Sequence, residues 1–291
     1  MKWAEVSVCA SSRADEAVAN ILIEEGAGGV AGVDSNGKAE VTTTLTAYYP
    51  VDDKLESRLN RIRARVRALG GFGLGSSRDR ITVRQVHDQD WAEAWKAFFK
   101  PMVVGKLVVK PSWEEFEPSS GRIVLEIDPG MAFGTGSHPT TQLCLSLLQK
   151  RVRPGDLVLD VGTGSGILAI AAALLGADRV VALDVDPLAV KAAITNAERN
   201  GVSDRLSVFL GDSLGSVRFT PDIVVANILA NTVVALAPAV ARMLAEGGAY
   251  IASGIVSERE AEVVQAFRDV GLGIEEIVRE GEWLAIVGAK P

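Results

Sequence analysis

Leu157-Val-Leu-Asp-Val-Gly-Thr-Gly-Ser-Gly-Ile-Leu168 passes from an apolar strand through three alternating glycines directly into a helix. Gly162, Gly164 and Gly166 lack Cβ, so the backbone can turn tightly and lie against a ligand, and a helix N-terminus follows whose N–H groups can meet polar ligand atoms. A dinucleotide fingerprint would place its third glycine at position 167, where this chain has Ile, so the dehydrogenase reading weakens. What remains is a nucleotide-cradling turn with an acid, Asp160, two residues ahead of its first glycine.

The surrounding 291 residues suit two domains, each long enough to bury a core. The longest unbroken apolar run, Ile167 to Leu175, falls far short of the ~20 residues of a membrane span. Met1-Lys-Trp-Ala-Glu-Val-Ser7 has an early charge and no apolar core of signal-peptide length, so a cytoplasmic location without membrane contact is expected. Cys9 and Cys144 are too few for a disulfide framework, and with His87 and His138 as the only histidines no metal is expected. The net charge is −7, and residues 1–90 hold 12 of the 30 basic and 13 of the 37 acidic groups. The acid excess therefore sits in the C-terminal part, which argues against a duplex-binding surface there and suits a cationic cofactor and an amine-bearing substrate.

Residues 4–8 alternate as a half-buried strand, and Ser12 opens a helix carried by Ala14, Ala17, Val18, Ile21 and Leu22. Val30 to Val33 and the β-branched stretch Val41 to Tyr49 read as a hairpin. A second helix has Leu55, Leu59, Ile62, Val66 and Leu69 on one face and Arg58, Arg61, Arg63, Arg65 and Arg67 elsewhere, and Ile81 to Val86 reads as a last strand. The order βαββαβ predicts an α+β ferredoxin-like domain over residues 1–87, a fold that names no function by itself; its arginines can form a solvated helix face, grip an acidic partner or make a weak contact with ribosomal RNA. Residues 88–122 read as a linker and connecting segment, with Trp91, Trp95, Phe98 and Phe99 forming a core-facing stripe.

From 123 to 291 strands alternate with helices, the pattern of an α/β domain with a parallel sheet covered on both faces. The strands are expected at Ile123 to Ile127, Leu157 to Val161, Val180 to Asp184, Leu206 to Leu210, Asp222 to Asn227 and Gly248 to Ser253, and a terminal hairpin around Glu280-Gly281-Glu282 supplies an antiparallel edge. Ligands on such sheets sit outside the carboxyl ends of the strands. Asp184 ends its strand 22 residues after Gly162, where an acid can accept both ribose hydroxyls; Asp186 before Pro187 reads as a helix cap; Asp212 can bond an adenine amine.

Two further stretches complete the set. Asp128-Pro-Gly-Met-Ala-Phe-Gly-Thr-Gly-Ser-His-Pro-Thr-Thr141 is a glycine-rich loop leading to a helix expected to be capped by Thr140 and Thr141, and Ala226-Asn-Ile-Leu-Ala230 ends the fourth strand. Together with the Asp160 glycine motif, Asp184-Val-Asp-Pro187 and Asn196-Ala-Glu-Arg-Asn-Gly201, they resemble the ribosomal protein L11 methyltransferase family, PrmA. The resemblance implies a Rossmann-like class I methyltransferase domain and S-adenosyl-L-methionine as methyl donor. It further implies transfer to lysine side chains and the N-terminal α-amine of the ribosomal protein. Carried over by residue, it places Thr141, Gly162, Asp184 and Asn227 on the cofactor, with Asp160 and Gly164 in the first motif and the Phe133 loop closing over the site. Asn227 is the residue expected to orient the amine, His138 a candidate proton relay, and the enzyme is expected to be a monomer. A second enzymatic reading is an RNA or small-molecule methyltransferase; a non-catalytic ribosome-assembly factor is the third.

Overall fold

The computed structural model describes residues 2–11, 14–27, 30–36, 41–69, 80–87, 100–117, 120–128, 136, 138–211, 214–216 and 219–291. Ser12, the aromatic stretch 91–99, Phe133 and Asp212 lie outside them. Two units are distinguished, Met1–Phe99 and Lys100–Pro291.

In the first unit β1 (Lys2–Ser11), α1 (Asp15–Glu24), β2 (Val30–Asn36), β3 (Val41–Pro50), α2 (Leu55–Ala68) and β4 (Arg80–His87) follow in the expected order. The sheet runs β2-β3-β1-β4 with every neighbouring pair antiparallel. Period-two alternation puts Val6, Val8 and Ala10 of β1 and Leu45, Ala47 and Tyr49 of β3 on one face. There they bury against Val18 and Leu22 of α1 and Leu59, Ile62 and Val66 of α2. The buried Tyr49 hydroxyl donates to the Leu22 carbonyl at 2.7 Å, so this polar atom of the core is satisfied by the helix it packs against.

The second unit begins earlier than the sequence pattern suggests. Residues expected to connect the domains form β5 (Met102–Val104) and β6 (Leu107–Lys110), and β6 pairs in parallel with β7 (Ile123–Glu126) in a separate three-stranded sheet. The run Ile123 to Ile127 therefore does not join the large sheet as expected. A short apolar run satisfies either sheet equally well, and its partner is fixed by neighbours remote in sequence.

The large sheet has the order β10-β9-β8-β11-β12-β14-β13. Its strands are β8 (Leu157–Val161), β9 (Arg179–Asp184), β10 (Leu206–Leu210), β11 (Ile223–Asn227), β12 (Ala249–Val256), β13 (Gly273–Glu280) and β14 (Trp283–Ala289). β8 to β12 are parallel, and the order turns back at β8, between β9 on one side and β11 on the other. The terminal hairpin is present, but its antiparallel strand β14 inserts next to β12 and leaves β13 outermost, so the antiparallel strand is not the edge. The hairpin pattern specifies the pairing of β13 with β14, not which of them meets the sheet.

Both faces are covered. α3 (Pro139–Arg151), α4 (Ile167–Leu174) and α5 (Pro187–Arg199) line one, α6 (Ala230–Met243) and α7 (Glu260–Asp269) the other. α4 is apolar on all sides, and Ile167 to Ala173 are all buried, as a helix without a polar face must be. On the opposite face Phe267 stacks on Tyr250 with centroids 4.9 Å apart. Among the described residues no helix is long and apolar enough to cross a membrane.

Candidate active site

The turn after β8 takes the shape that its three glycines permit, with φ of 75°, 56° and 86° at Gly162, Gly164 and Gly166. A Cβ on Gly166 would sit 3.0 Å from the Cβ of Ala193 and 3.1 Å from its Cα, so this glycine also sets how closely α4 approaches α5. The turn's amides are less available than the sequence suggests. Gly162 N and Thr163 N donate to the Leu183 carbonyl, Gly166 N to the Thr163 carbonyl, and Gly164 N to Asp184 Oδ2 at 2.8 Å. The turn binds itself to β9 first, and what it offers a ligand is mostly side-chain oxygen.

Asp160 is completely buried under that turn. Its Oδ2 accepts from Thr163 Oγ1 at 2.7 Å and from Ala169 N at 3.1 Å, which ties the loop to the first turn of α4. Its Oδ1 is buried and, among the described residues, has no hydrogen-bond partner. Burial, opposed by those two hydrogen bonds and reinforced by the charge of Asp184, pushes the carboxyl up to about 7. An orphaned buried oxygen costs about 1–3 kcal/mol, and a cationic ligand group next to the turn would relieve it.

Asp184 stands at the carboxyl end of β9. Its Oδ2 holds Gly164 N, and its Oδ1 accepts from Asp186 N at 3.0 Å, which leaves each oxygen a further lone pair. Asp186 is the helix cap expected of it: its Oδ1 accepts from Leu188 N at 2.8 Å, with Pro187 as the first residue of α5. Val185 and Leu210, 68% and 59% exposed, lie beside Asp184, and Leu210 pairs with it in the sheet.

At the carboxyl end of β11, Asn227 Nδ2 donates to Thr141 Oγ1 at 3.2 Å. Two expected site residues 86 positions apart thus meet. Thr141 is buried in the first turn of α3. The cap of that helix is His138 rather than Thr140 or Thr141: its Nδ1 accepts from Thr140 N at 3.3 Å and lies 2.7 Å from Thr140 Oγ1. Pro139 fills the first helical position and forces the cap one residue upstream. The His138 ring packs edge-on against Trp283 with centroids 4.8 Å apart. Burial lowers its pKa, while Glu280 and Glu282 raise it by a lesser amount, and its Nδ1 is committed to capping the helix. That commitment speaks for a loop-shaping role over the proton relay.

Several residues matter more than the sequence indicates. Asn196, buried in α5, donates to the Ser165 carbonyl at 2.9 Å and the Asp128 carbonyl at 3.4 Å, and its Oδ1 accepts from Asp128 N. Asn200 holds Glu126 N and the Glu126 carbonyl in the same way. The Asp128 carboxylate accepts from Ser112 N, Ser112 Oγ and Arg199. The Asn196 to Gly201 motif therefore locks the end of β7, where the Phe133 loop begins, to the glycine turn. Gly254, at φ 82°, interrupts β12; a Cβ there would lie 2.4 Å from the Ile228 carbonyl oxygen. An isolated glycine in a strand pattern is the available signal for such a close approach. Among the described residues no group of three or more His, Cys, Asp or Glu could hold a metal.

A family model described as ribosomal protein L11 methyltransferase (PrmA) matches residues 2–291. The chain belongs to the ribosomal protein L11 methyltransferase family. It is 44% identical to the ribosomal protein L11 methyltransferase of Pelotomaculum thermopropionicum over 98% of each chain, and 39% identical to that of Geobacillus kaustophilus over the full length of both. A crystal structure of ribosomal protein L11 methylase from Lactobacillus delbrueckii subsp. bulgaricus superimposes with a TM-score of 0.63 at 34% identity, covering 66% of this chain and 99% of that one. As a member of the PrmA family the chain is a methyltransferase of ribosomal protein L11 with S-adenosylmethionine as its methyl donor, as the sequence motifs imply.

Proposed function

We propose that the second unit binds S-adenosylmethionine across the carboxyl ends of β8, β9 and β11 and directs its methyl group to amines of ribosomal protein L11, both lysine side chains and the N-terminal α-amine. The observation that carries this reading is the convergence of Asp160, Asp184 and the Asn227–Thr141 pair on strand ends next to the point where the sheet order reverses. Asp184 keeps one lone pair on each oxygen for the two ribose hydroxyls, Val185 and Leu210 supply apolar surface for the adenine, and Asp160 Oδ1 is an unpaired acceptor for the ammonium at the methionine end. Gly162 and Gly164 let the backbone come close, while Phe133 and Asp212 are assigned to the loop over the site and to the adenine.

The donor supplies a methyl group on a sulfonium, already a good leaving group. The chain's own task is alignment: Asn227 Oδ1 accepts a hydrogen bond from the incoming amine and points its lone pair at the methyl. The amine must arrive neutral; a free lysine has a pKa of about 10.4, and desolvation at an apolar mouth lowers it. Leu229, 75% exposed two residues past Asn227, contributes to such a mouth.

The first unit is assigned to recognition of the substrate, in the cytoplasm and by a monomeric enzyme. Four of the five α2 arginines are already neutralised within that unit: Arg58 by Asp52, Arg61 by Glu25, Arg63 by Glu56, and Arg65 by Glu24 and Glu25. A ribosomal RNA contact would fall mainly to Arg67. The assignment of the cofactor site is tested by calorimetry on Asp184→Ala, which is expected to weaken S-adenosylmethionine binding by roughly 1.5–3 kcal/mol, or ten- to more than a hundredfold. Unchanged affinity in a folded variant would remove the ribose assignment.

A further inference from the structure

β8 and β11 are neighbours in the large sheet, with Val161 opposite Ala226, so the glycine turn and the end of β11 leave the sheet side by side. The side chain of Ile228 reaches from one to the other. A Cβ on Gly162 would sit 2.5 Å from Ile228 Cγ2, whereas carbons in contact stand about 3.5–4.0 Å apart, so the β-branch methyl of Ile228 fills the space that Gly162 leaves open. The backbone of the same residue is held against β12. Ile228 N donates to the Ser253 carbonyl at 3.1 Å, and a Cβ on Gly254 would lie 2.4 Å from the Ile228 carbonyl oxygen and 3.1 Å from its nitrogen. Ile228 is thus gripped through its side chain by the turn and through its backbone by β12, between Asn227 and the exposed Leu229.

We infer that Ile228 is a positioning residue for methyl transfer: its Cγ2 methyl, seated at Gly162, sets the spacing between the turn that carries the donor and the segment that orients the amine. The inference rests on the proposed roles of Gly162 and Asn227. Successive side chains of a strand leave opposite faces, so Asn227 points to α3 while Ile228 packs with the core under α6 and α7. Moving the Ile228 backbone therefore moves Asn227 with it. Alignment for transfer tolerates little movement, since a displacement of about 1 Å can cost on the order of a hundredfold in rate. The required feature is a branch at Cβ rather than bulk. β-Branched side chains are stiff at χ1 and hold their methyls in one place. Valine keeps that branch with one carbon fewer, whereas leucine keeps the volume and moves the branch outward.

The test compares Ile228→Val, Ile228→Leu and Ile228→Ala in the full-length protein, measuring kcat for L11 methylation at saturating donor and the Kd of S-adenosylmethionine by calorimetry. Ile228→Val should keep kcat within about twofold of the parent. Ile228→Leu and Ile228→Ala, which both lack the branch methyl, should lower kcat by roughly tenfold or more while Kd stays within about threefold. Adding Ile228→Leu to Asn227→Ala should cost little beyond Asn227→Ala alone, because the isoleucine acts through the asparagine. A valine variant as slow as the alanine variant, or a leucine variant as fast as the parent, would overturn the inference, since volume rather than the branch would then decide. A Kd weakened in step with kcat would also overturn it, by showing that Ile228 serves the cofactor directly. Full turnover in Ile228→Leu and Ile228→Ala beside a slow Asn227→Ala would leave the role of Asn227 standing, whereas full turnover in Asn227→Ala would sink both.

Discussion

Asp160 concentrates the chemistry of the glycine turn in one side chain. Its two hydrogen bonds hold the turn on α4, yet complete burial and the neighbouring Asp184 make its charge expensive. The linkage has a definite sign. With a folded pKa raised to about 7, the folded protein retains the proton that the unfolded chain loses first, so this group's contribution is complete below the unfolded value near 4 and is lost as pH rises through about 7. Asp160→Asn keeps an acceptor for Thr163 and Ala169 and cannot ionise. Without ligand, its thermal midpoint relative to the parent should climb between pH 5 and 8, by an amount corresponding to a few kcal/mol at most. Melting curves whose difference does not change with pH would contradict a buried, strongly shifted carboxyl.

At the scale of elements, the site depends on close approaches that only glycine allows. Gly254 interrupts β12 where it passes the Ile228 carbonyl, one residue beyond Asn227. Gly254→Ala places a methyl group 2.4 Å from that oxygen at a φ that side chains resist, and should destabilise the fold by about 2–4 kcal/mol. A denaturant midpoint like the parent's would mean the strand can shift freely there. The glycine turn, the Asp184 spacing and the Asp186 cap were legible in the sequence because each is a contiguous pattern in which a strand end, a turn and a helix start follow one another. The Asn227–Thr141 bond and the Asn196 lock were not legible as pairs, since they join positions 86 and 68 apart. β7 and β14 show the same limit: their strand character was readable, whereas their neighbours were set by competition among several apolar partners.

For the whole molecule, the expected division of labour assigns recognition to the first unit and chemistry to the second. The second unit has its own cores on both faces of the large sheet, and every candidate cofactor residue falls within Lys100–Pro291. A fragment beginning at residue 100 should therefore fold, retain S-adenosylmethionine affinity within about threefold of the full chain, and lose methylation of intact L11. A fragment that methylates L11 at the full rate would place recognition elsewhere. Transfer of methyl groups by this chain to amines of L11 is measured by incubating the full-length protein with methyl-labelled S-adenosylmethionine and ribosomal particles and locating the label by mass spectrometry. Label is expected on lysine side chains and the N-terminal amine of L11, and much less of it with Asp184→Ala at low donor concentration; label confined to ribosomal RNA, or none on L11, would rule out methyl transfer to L11.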